Sequence, residues 1–223
     1  DIEKRFFIDE RESNAGIRIT DEFSQLLERE QADNLPFEVE SRWRLVEKAW
    51  ELNISNRLIA IDFDLETESL FASIDTNRRQ AVTSCRNALN GYQKGNCFYC
   101  FDDIHLTDES SKFPHVDHFF PHTLKYSGFR GIDGIWNLVL SCQECNNGVG
   151  GKFASIPKRR LLERLHKRNE FLISSHHPLR ETLMGQTGVT KQRRESFIAD
   201  YYNRAHKTII HVWEAVEKCE SLF

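Results

Sequence analysis

The sequence predicts an α+β protein in which a small metal-bound core lies within a mostly α-helical frame. Three observations support this fold class: helical periodicity in both terminal parts, short apolar runs between turn residues in the middle, and two Cys-x-x-Cys pairs that enclose that middle. With 223 residues, 39% of them hydrophobic and 29% charged, the chain is long enough to bury a sizeable core. We expect three parts: an acidic, mainly helical region over 1–75, the core with a leading helix over 76–157, and a helical region packed on the core over 158–223.

The N-terminal region is expected to contain an arm, two helices and a strand. Residues 1–20 show no clear period and are expected to form a loosely held arm. Apolar residues recur at helical spacing from Asp21, and a second helix is expected over Glu38–Leu52. Leu58–Phe63 is expected to form a short strand because it includes two isoleucines, which favour strands. Thr76–Tyr92 is expected to form the leading helix of the core.

The pattern changes at Pro157. Before it, Ile135–Ser141 is an apolar run of the length expected for a buried strand. After it, leucines recur at helical spacing over Lys158–Ile173, and a longer helical pattern covers Thr190–Lys218. We therefore expect two long helices that wrap the core.

Charge is distributed unevenly along the chain. Residues 1–75 contain nine Lys/Arg and nineteen Asp/Glu, a net charge of −10, and since the whole chain has −4 the remainder has +6. This asymmetry indicates a part that faces nucleic acid joined to an acidic part, although two differently charged solvated surfaces explain it equally well. We expect the acidic region to contact a partner protein or a second subunit.

A membrane protein and an exported protein are both disfavoured. No stretch is apolar over the length that spans a bilayer, and the first residues lack the apolar centre of a signal peptide. The expectation is a cytoplasmic protein without a membrane partner.

Four of the six cysteines form two pairs with metal-ligand spacing. They are Cys97, Cys100, Cys142 and Cys145. A disulfide framework is typical of small secreted chains, whereas four thiolates in two such pairs are typical of a closed structural Zn²⁺ site. The other interpretation is that these cysteines are redox-active or merely buried. Because 41 residues separate the pairs, a bound zinc would hold a sizeable segment between them.

That intervening segment contains a cluster of titratable residues. His115, Asp117, His118 and His122 lie within eight positions, beside apolar residues that favour a strand. Such a density is unusual for an exposed strand and is a sign of a functional site. Adjacent strand residues face opposite sides, so Asp117 and His118 can share one site only if the strand ends or bulges there.

Three motifs follow one another across the segment. They are Asp117-His118 with Pro121, Asn137-Leu138-Val139-Leu140, and Cys142-x-x-Cys145-Asn146. Together they resemble the HNH endonuclease family, in the variant with asparagine at the third signature position, and the pair Cys97 and Cys100 matches the zinc-clamped branch of that family. The resemblance covers residues 97–152, about a quarter of the chain. It implies a ββα-metal core: two antiparallel strands and a helix, with a catalytic divalent ion between them.

The resemblance also implies a role for each matching residue. Asp117 and Asn146 would bind a catalytic Mg²⁺ or Mn²⁺ through oxygen atoms, which such ions prefer. His118 would be the general base that takes a proton from the attacking water, because histidine titrates near neutral pH. Asn137, on the second strand, would hold the loop that positions His118.

Basic residues around this core are expected to contact the substrate. His122 is a candidate for contact with the scissile phosphate, although a polar loop histidine is an equally good interpretation. Lys152 and the Arg159-Arg160 pair are expected to bind backbone phosphates, and ordinary solvated side chains are the alternative. In the family a lysine often follows the last asparagine more closely than Lys152 does here, because Gly148–Gly151 intervenes.

The expected activity is metal-dependent hydrolysis of phosphodiester bonds in nucleic acid, with DNA preferred over RNA, in restriction or phage defence. An RNA-cleaving enzyme with the same catalytic unit is one alternative. The main alternative is a zinc-stabilised module that binds nucleic acid or protein without cutting. Four cysteines serve that module equally well, but it does not require Asp117, His118, Asn137 and Asn146 in this arrangement.

Overall fold

The computed structural model describes residues 5–28, 32, 35–51, 60–75, 78–106 and 112–219, and it is a mixed structure of helices and small sheets. The strands are β1 Phe7–Glu10, β2 Gly16–Ile19, β3 Ala60–Asp64, β4 Ser69–Asp75, β5 Arg78–Ser84, β6 His115–His118, β7 Leu138–Ser141, β8 Ile156–Pro157 and β9 Val212–Trp213. The helices are α1 Arg11–Asn14, α2 Asp21–Leu27, α3 Leu35–Glu51, α4 Cys85–Gln93, α5 Gln143–Asn147, α6 Arg159–Ser174, α7 Arg180–Thr187 and α8 Lys191–Thr208. The expected α+β class is therefore confirmed. Within the described residues, no helix combines the length and apolar character needed to cross a bilayer.

The expected arm at the N-terminus is wrong over residues 7–19, where β1 and β2 form an antiparallel pair joined by the single turn of α1. Phe7 pairs with Ile19 and Asp9 with Ile17, so these four side chains share one face of the pair. Phe7 is 61% exposed, Ile17 58% and Ile19 62%. The pair thus presents an apolar face to solvent.

A three-stranded antiparallel sheet, in the order β3-β4-β5, follows α3. The expected strand over Leu58–Phe63 is present from Ala60, and its first two residues lie outside the described part. The expected helix over Thr76–Tyr92 is wrong over 78–84, where pairing with β4 provides the backbone hydrogen bonds. The helix starts only at Cys85, where the Ser84 side chain caps it. The boundary expected at residue 75 thus falls between two paired strands.

The core is an antiparallel hairpin of β6 and β7, followed directly by α5. Three of the four residues of β6 and all four of β7 are buried. The Gln93 side chain hydrogen-bonds the backbone of Leu140 in β7 as a neighbouring strand would. Its Nε2 donates to the Leu140 carbonyl at 2.8 Å, and its Oε1 accepts from the Leu140 amide at 2.8 Å. Helix α4 is thereby fixed against the hairpin.

Helices α6, α7 and α8 pack around this core. Arg168 of α6 is fully buried, and its guanidinium donates to the carbonyls of Trp136 and Leu138 at 3.2 and 2.7 Å. Burial lowers the pKa of Arg168 to about 10, so the side chain stays charged at neutral pH. The centre of the Trp136 ring lies 4.8 Å from that of Tyr201 on α8. Helices α6 and α8 thus both contact the segment around Trp136.

The C-terminal segment crosses the core instead of continuing the last helix. The expected helix to Lys218 is wrong beyond Thr208, where the chain extends and β9 pairs in parallel with β8. The Trp213 indole donates to the Gly150 carbonyl at 2.7 Å, and the Lys218 amide donates to the Cys100 carbonyl at 2.8 Å. Successive β-branched residues after Thr208 favour this extended form.

Candidate functional site

Four cysteines converge at one end of the hairpin, and we call them the cysteine cluster: Cys97, Cys100, Cys142 and Cys145. Their sulfur atoms all lie within 4.8 Å of one another, and the Cys100 and Cys142 sulfurs are 3.8 Å apart. A tetrahedral zinc with bonds of about 2.3 Å requires sulfurs about 3.8 Å apart. The cysteine cluster can therefore hold one metal ion such as zinc, as the sequence predicted.

The backbone around the cysteine cluster links its two halves. The Cys142 amide donates to the Cys97 sulfur at 3.3 Å, and the Phe98 amide donates to the Leu140 carbonyl at 2.9 Å. Burial raises the pKa of the Cys97 thiol well above its usual value, so a bound cation is needed to stabilise its thiolate. Cys85 and Cys219 lie outside the cluster.

Asp117 is buried beside the cluster with partners on both carboxylate oxygens. The Tyr99 hydroxyl donates to Oδ2 at 2.6 Å, and the Lys152 ammonium lies 3.3 Å from Oδ1. Burial, and then the charge of Asp117, raise the pKa of Tyr99 well above its usual value, so the hydroxyl keeps its proton and remains a donor.

Lys152 is placed as the counter-ion of Asp117. It is only 1% exposed, and its ammonium also donates to the carbonyls of His118 at 2.9 Å and Phe153 at 3.2 Å. A phosphate could reach Lys152 only if the side chain left these partners. In this arrangement Lys152 stabilises the core and is not presented to a substrate.

Asn146 lies on the five-residue helix α5, half-buried, and its carbonyl accepts from the Phe153 amide at 2.9 Å. Helix α5 follows β7 and packs against β6, which gives the strand-strand-helix order that the resemblance implies. Among the described His, Cys, Asp and Glu residues, only the cysteine cluster forms a group of three or more that could hold a metal ion. Asp117 therefore belongs to no such metal-binding group.

His118 is the last residue of β6. Side chains of adjacent residues within a strand point to opposite faces, and the strand ends at this pair. The His118 ring is buried. The centre of the ring lies 6.0 Å from the centre of the Phe63 ring and 5.3 Å from that of the His122 ring. Its Nε2 lies 3.1 Å from Oδ1 of Asp133. Burial lowers the pKa of His118, and the charges of Asp133 and Asp117 only partly oppose this effect. His118 is therefore neutral at pH 7 and can accept a proton.

Asn137 fastens the loop that follows His118. It lies in a 3₁₀ turn, Ile135–Asn137, one residue before β7, and not on the strand as expected. Its Oδ1 accepts from the Phe120 amide at 2.8 Å, while its Nδ2 donates to the carbonyls of Phe120 at 3.0 Å and Ile132 at 2.8 Å. One buried amide thus joins the segment after His118 to the segment before Asp133.

The sequence did not indicate Asp133, whose carboxylate contacts the side chains of three residues. Its Oδ1 lies 3.1 Å from Nε2 of His118 and 3.4 Å from Nε2 of His122, and its Oδ2 accepts from the Lys125 ammonium at 3.1 Å. We call these four residues the histidine cluster. Burial acts to raise the pKa of Asp133, but the Lys125 hydrogen bond and the nearby charges lower it overall. The only sequence signal was an acid beside glycine in a short turn.

The histidine cluster borders a cavity of about 730 Å³. Its lining includes Asp62, Phe63, Arg130, Gln186, Lys125 and Asp133. His122 is partly exposed, and it is the predicted phosphate contact that lies with His118. Solvent and a small group of a larger substrate can reach Lys125 and Asp133 from this cavity, whose lining does not include His118 or His122.

The two arginines predicted to bind phosphate differ in their surroundings. Arg159 is exposed at the start of α6. Arg160 forms ion pairs with Glu214 at 2.7 Å and Glu217 at 2.6 Å, and it donates to the Ala215 carbonyl at 3.0 Å. Arg160 therefore holds the C-terminal segment in place.

The cysteine cluster predicts a definite metal content. The purified chain should contain about one zinc per molecule, and Cys142→Ser should remove it and unfold the core, because structural zinc sites supply folding energy outright. Elemental analysis and thermal unfolding measure both effects. The matched control is Cys219→Ser, which changes an exposed cysteine outside the cluster. A Cys142→Ser protein with full zinc content and unchanged unfolding would contradict the assignment.

The Lys152–Asp117 pair predicts a large effect on stability. Lys152→Met should lower the free energy of unfolding by about 3–5 kcal/mol, because it leaves a buried carboxylate without its cation. The control Lys125→Met breaks a pair in which the lysine is 54% exposed, and it should cost less than about 1 kcal/mol. Urea denaturation of the three zinc-loaded proteins gives the comparison. Equal effects of the two substitutions would show that Lys152 has no special structural role.

Comparison with known proteins gives no relative: no family model, no curated protein and no solved structure matches the chain.

Proposed function

We propose that this protein is an endonuclease that hydrolyses phosphodiester bonds, with DNA preferred over RNA. The observation that supports it is the placement of His118: a buried, neutral histidine at the end of β6, with one ring nitrogen against a carboxylate. The strand-strand-helix order of β6, β7 and α5, beside a four-cysteine cluster, agrees with the HNH resemblance. Restriction or phage defence is the proposed setting, and it rests on the nuclease activity.

The chain's own groups account for the proton transfer. A neutral imidazole has one N–H and one lone pair, so His118 can take a proton from an attacking water. The bonds from Asn137 to Phe120 and Ile132 hold the segment after His118 against the segment before Asp133. A fixed base of this kind contributes about 10²–10⁴-fold to rate.

The proposal includes a requirement for Mg²⁺ or Mn²⁺, with Asp117 and Asn146 as oxygen ligands. Such an ion would stabilise charge on the phosphate. The arrangement of Asp117 does not fit this role as it stands, because Tyr99 and Lys152 engage both of its oxygens. An ion there would lie beside the Lys152 ammonium, whose positive charge opposes its binding. We therefore assign no step of the reaction to the ion.

The engagement of both Asp117 oxygens by Tyr99 and Lys152 favours the second candidate, a zinc-stabilised module that binds nucleic acid or protein without cutting. In such a module Asp117, Tyr99 and Lys152 would be a buried polar group of purely structural value. The module explains the cysteine cluster and the loop bonds of Asn137, but it gives no role to His118. For this reason we prefer the nuclease.

Plasmid cleavage tests the nuclease. The zinc-loaded protein should nick plasmid DNA with Mg²⁺ or Mn²⁺ and not with chelator, and His118→Ala should slow nicking by about 10²–10⁴-fold because the general base is lost. His115→Ala is the matched control, since it changes a partly exposed histidine on the same strand. Matched RNA substrates in parallel determine which nucleic acid is preferred.

Zinc content is measured in every arm, because a chelator that removes zinc would stop cleavage for another reason. Absence of cleavage with either ion on DNA and RNA, in a folded and zinc-loaded protein, would contradict the nuclease. A gel shift on the same substrates then tests the binding module.

We further propose that the acidic N-terminal region pairs two copies of the chain through the exposed face of β1 and β2. Phe7, Ile17 and Ile19 form the apolar centre of that face. An exposed apolar patch of this kind marks an interaction surface.

Ile17→Ser with Ile19→Ser should therefore shift the protein from dimer to monomer, since it removes the apolar centre while leaving the backbone pairing intact. Sedimentation velocity measures the mass. Arg18→Ser, which lies between the two positions and faces the other side of β2, is the matched control. A monomeric wild-type protein at concentrations of about 100 μM would refute this pairing, because weak specific association is detectable there.

A further inference from the structure

The loop that contains Asp133 is fixed from several directions. The Gly134 amide donates to the Gly131 carbonyl at 3.1 Å, and the Trp136 indole donates to the same carbonyl at 2.9 Å. Asn137 holds the Ile132 carbonyl at 2.8 Å. A Cβ atom on Gly134 would lie only 2.6 Å from the Trp136 ring, so the turn is closely packed there. The Asp133 carboxylate is therefore held in place by buried groups around it.

From this geometry we infer that Asp133 is a positioning residue for His118, which holds the ring in the tautomer with the proton on Nε2 and leaves Nδ1 as the proton acceptor. The inference rests on the proposed nuclease for its catalytic meaning. The distance that supports it is the 3.1 Å between His118 Nε2 and Asp133 Oδ1. An ionised carboxylate only accepts hydrogen bonds, so the imidazole nitrogen that faces it must be the one with hydrogen.

The surroundings of Asp133 keep it in the ionised, accepting form. Lys125 donates to Oδ2 at 3.1 Å, which leaves Oδ1 for the histidines. His122 approaches Oδ1 at 3.4 Å, farther than His118 at 3.1 Å. The His118 ring also makes edge-to-face contacts with the rings of Phe63 and His122. These contacts restrict the rotation of the ring. A base is effective only when its lone pair faces the reacting proton, and Asp133 determines which nitrogen has that lone pair.

A merely structural role for Asp133 would predict lower stability without a change of tautomer. The two roles can be separated by histidine nitrogen NMR on the full, zinc-loaded chain labelled with ¹⁵N-histidine. His118 resonances are assigned by comparison with His118→Asn. The wild-type protein should show His118 with its proton on Nε2 alone.

Asp133→Ala should give a mixture of both His118 tautomers, because the acceptor at Nε2 is gone. His115→Ala is the control: it changes a partly exposed histidine on the same strand and should leave the His118 tautomer unchanged. Asp133→Asn keeps the size of the side chain but can present an amide donor to Nε2, so it should shift the population toward Nδ1–H. In cleavage assays, Asp133→Ala should lower kcat by about 10- to 100-fold with little change in KM.

A proton on Nδ1 of His118 in the wild-type protein would overturn the inference, and so would an unchanged tautomer in Asp133→Ala. Destabilisation of Asp133→Ala without a change in the His118 signals would also overturn it, in favour of a structural role. Failure of the wild-type protein to cleave any nucleic acid would refute the proposed function only, because the tautomer is measured without a substrate.

Discussion

The convergence of four thiols from two distant pairs is the constraint on which the rest of the structure depends. It brings the turn at Cys97–Cys100 against the start of α5, across a segment of 41 residues. Closing such a segment costs chain entropy, which the binding of a metal such as zinc would offset. Because β7 leads directly into Cys142 and pairs with β6, the position of His118 follows from the same closure.

Residues close in sequence could be assigned from the sequence, and residues brought together by the fold could not. The cysteine spacing determined the metal-binding set, because two C-x-x-C turns present paired sulfurs regardless of context. Asp133 lies 15 residues from His118, and their contact depends on hydrogen bonds from Asn137 that no periodicity reveals. Strand β5 was missed because pairing with β4 decides its conformation. The burial of Lys152 was equally hidden, since its partner Asp117 lies 35 residues earlier.

Helix α6 shows why a basic sequence pattern is weak support for a surface that binds phosphate. Its arginines look alike in the sequence, yet Arg168 is buried against loop carbonyls. Arg164 donates to the Phe98 and Tyr99 carbonyls beside the cysteine cluster at 2.6 and 3.0 Å, while Arg160 binds two glutamates. The guanidinium group satisfies several carbonyl oxygens at once, so it is well suited to fasten irregular loops. Three of the arginines on this helix therefore bind carbonyl or carboxylate groups of the same chain.

The strand that crosses the core, β9, has a consequence for how the protein is made. Its pairing with β8 and the contact of Lys218 with Cys100 complete the surroundings of the cysteine cluster. These residues leave the ribosome about 70 residues after Cys145, since synthesis proceeds from the N-terminus. All four cysteines of the cluster are thus synthesised well before the segment that packs beside them. If the cluster binds a metal ion such as zinc, the nascent core could do so during this interval, before β9 and Lys218 pack against it.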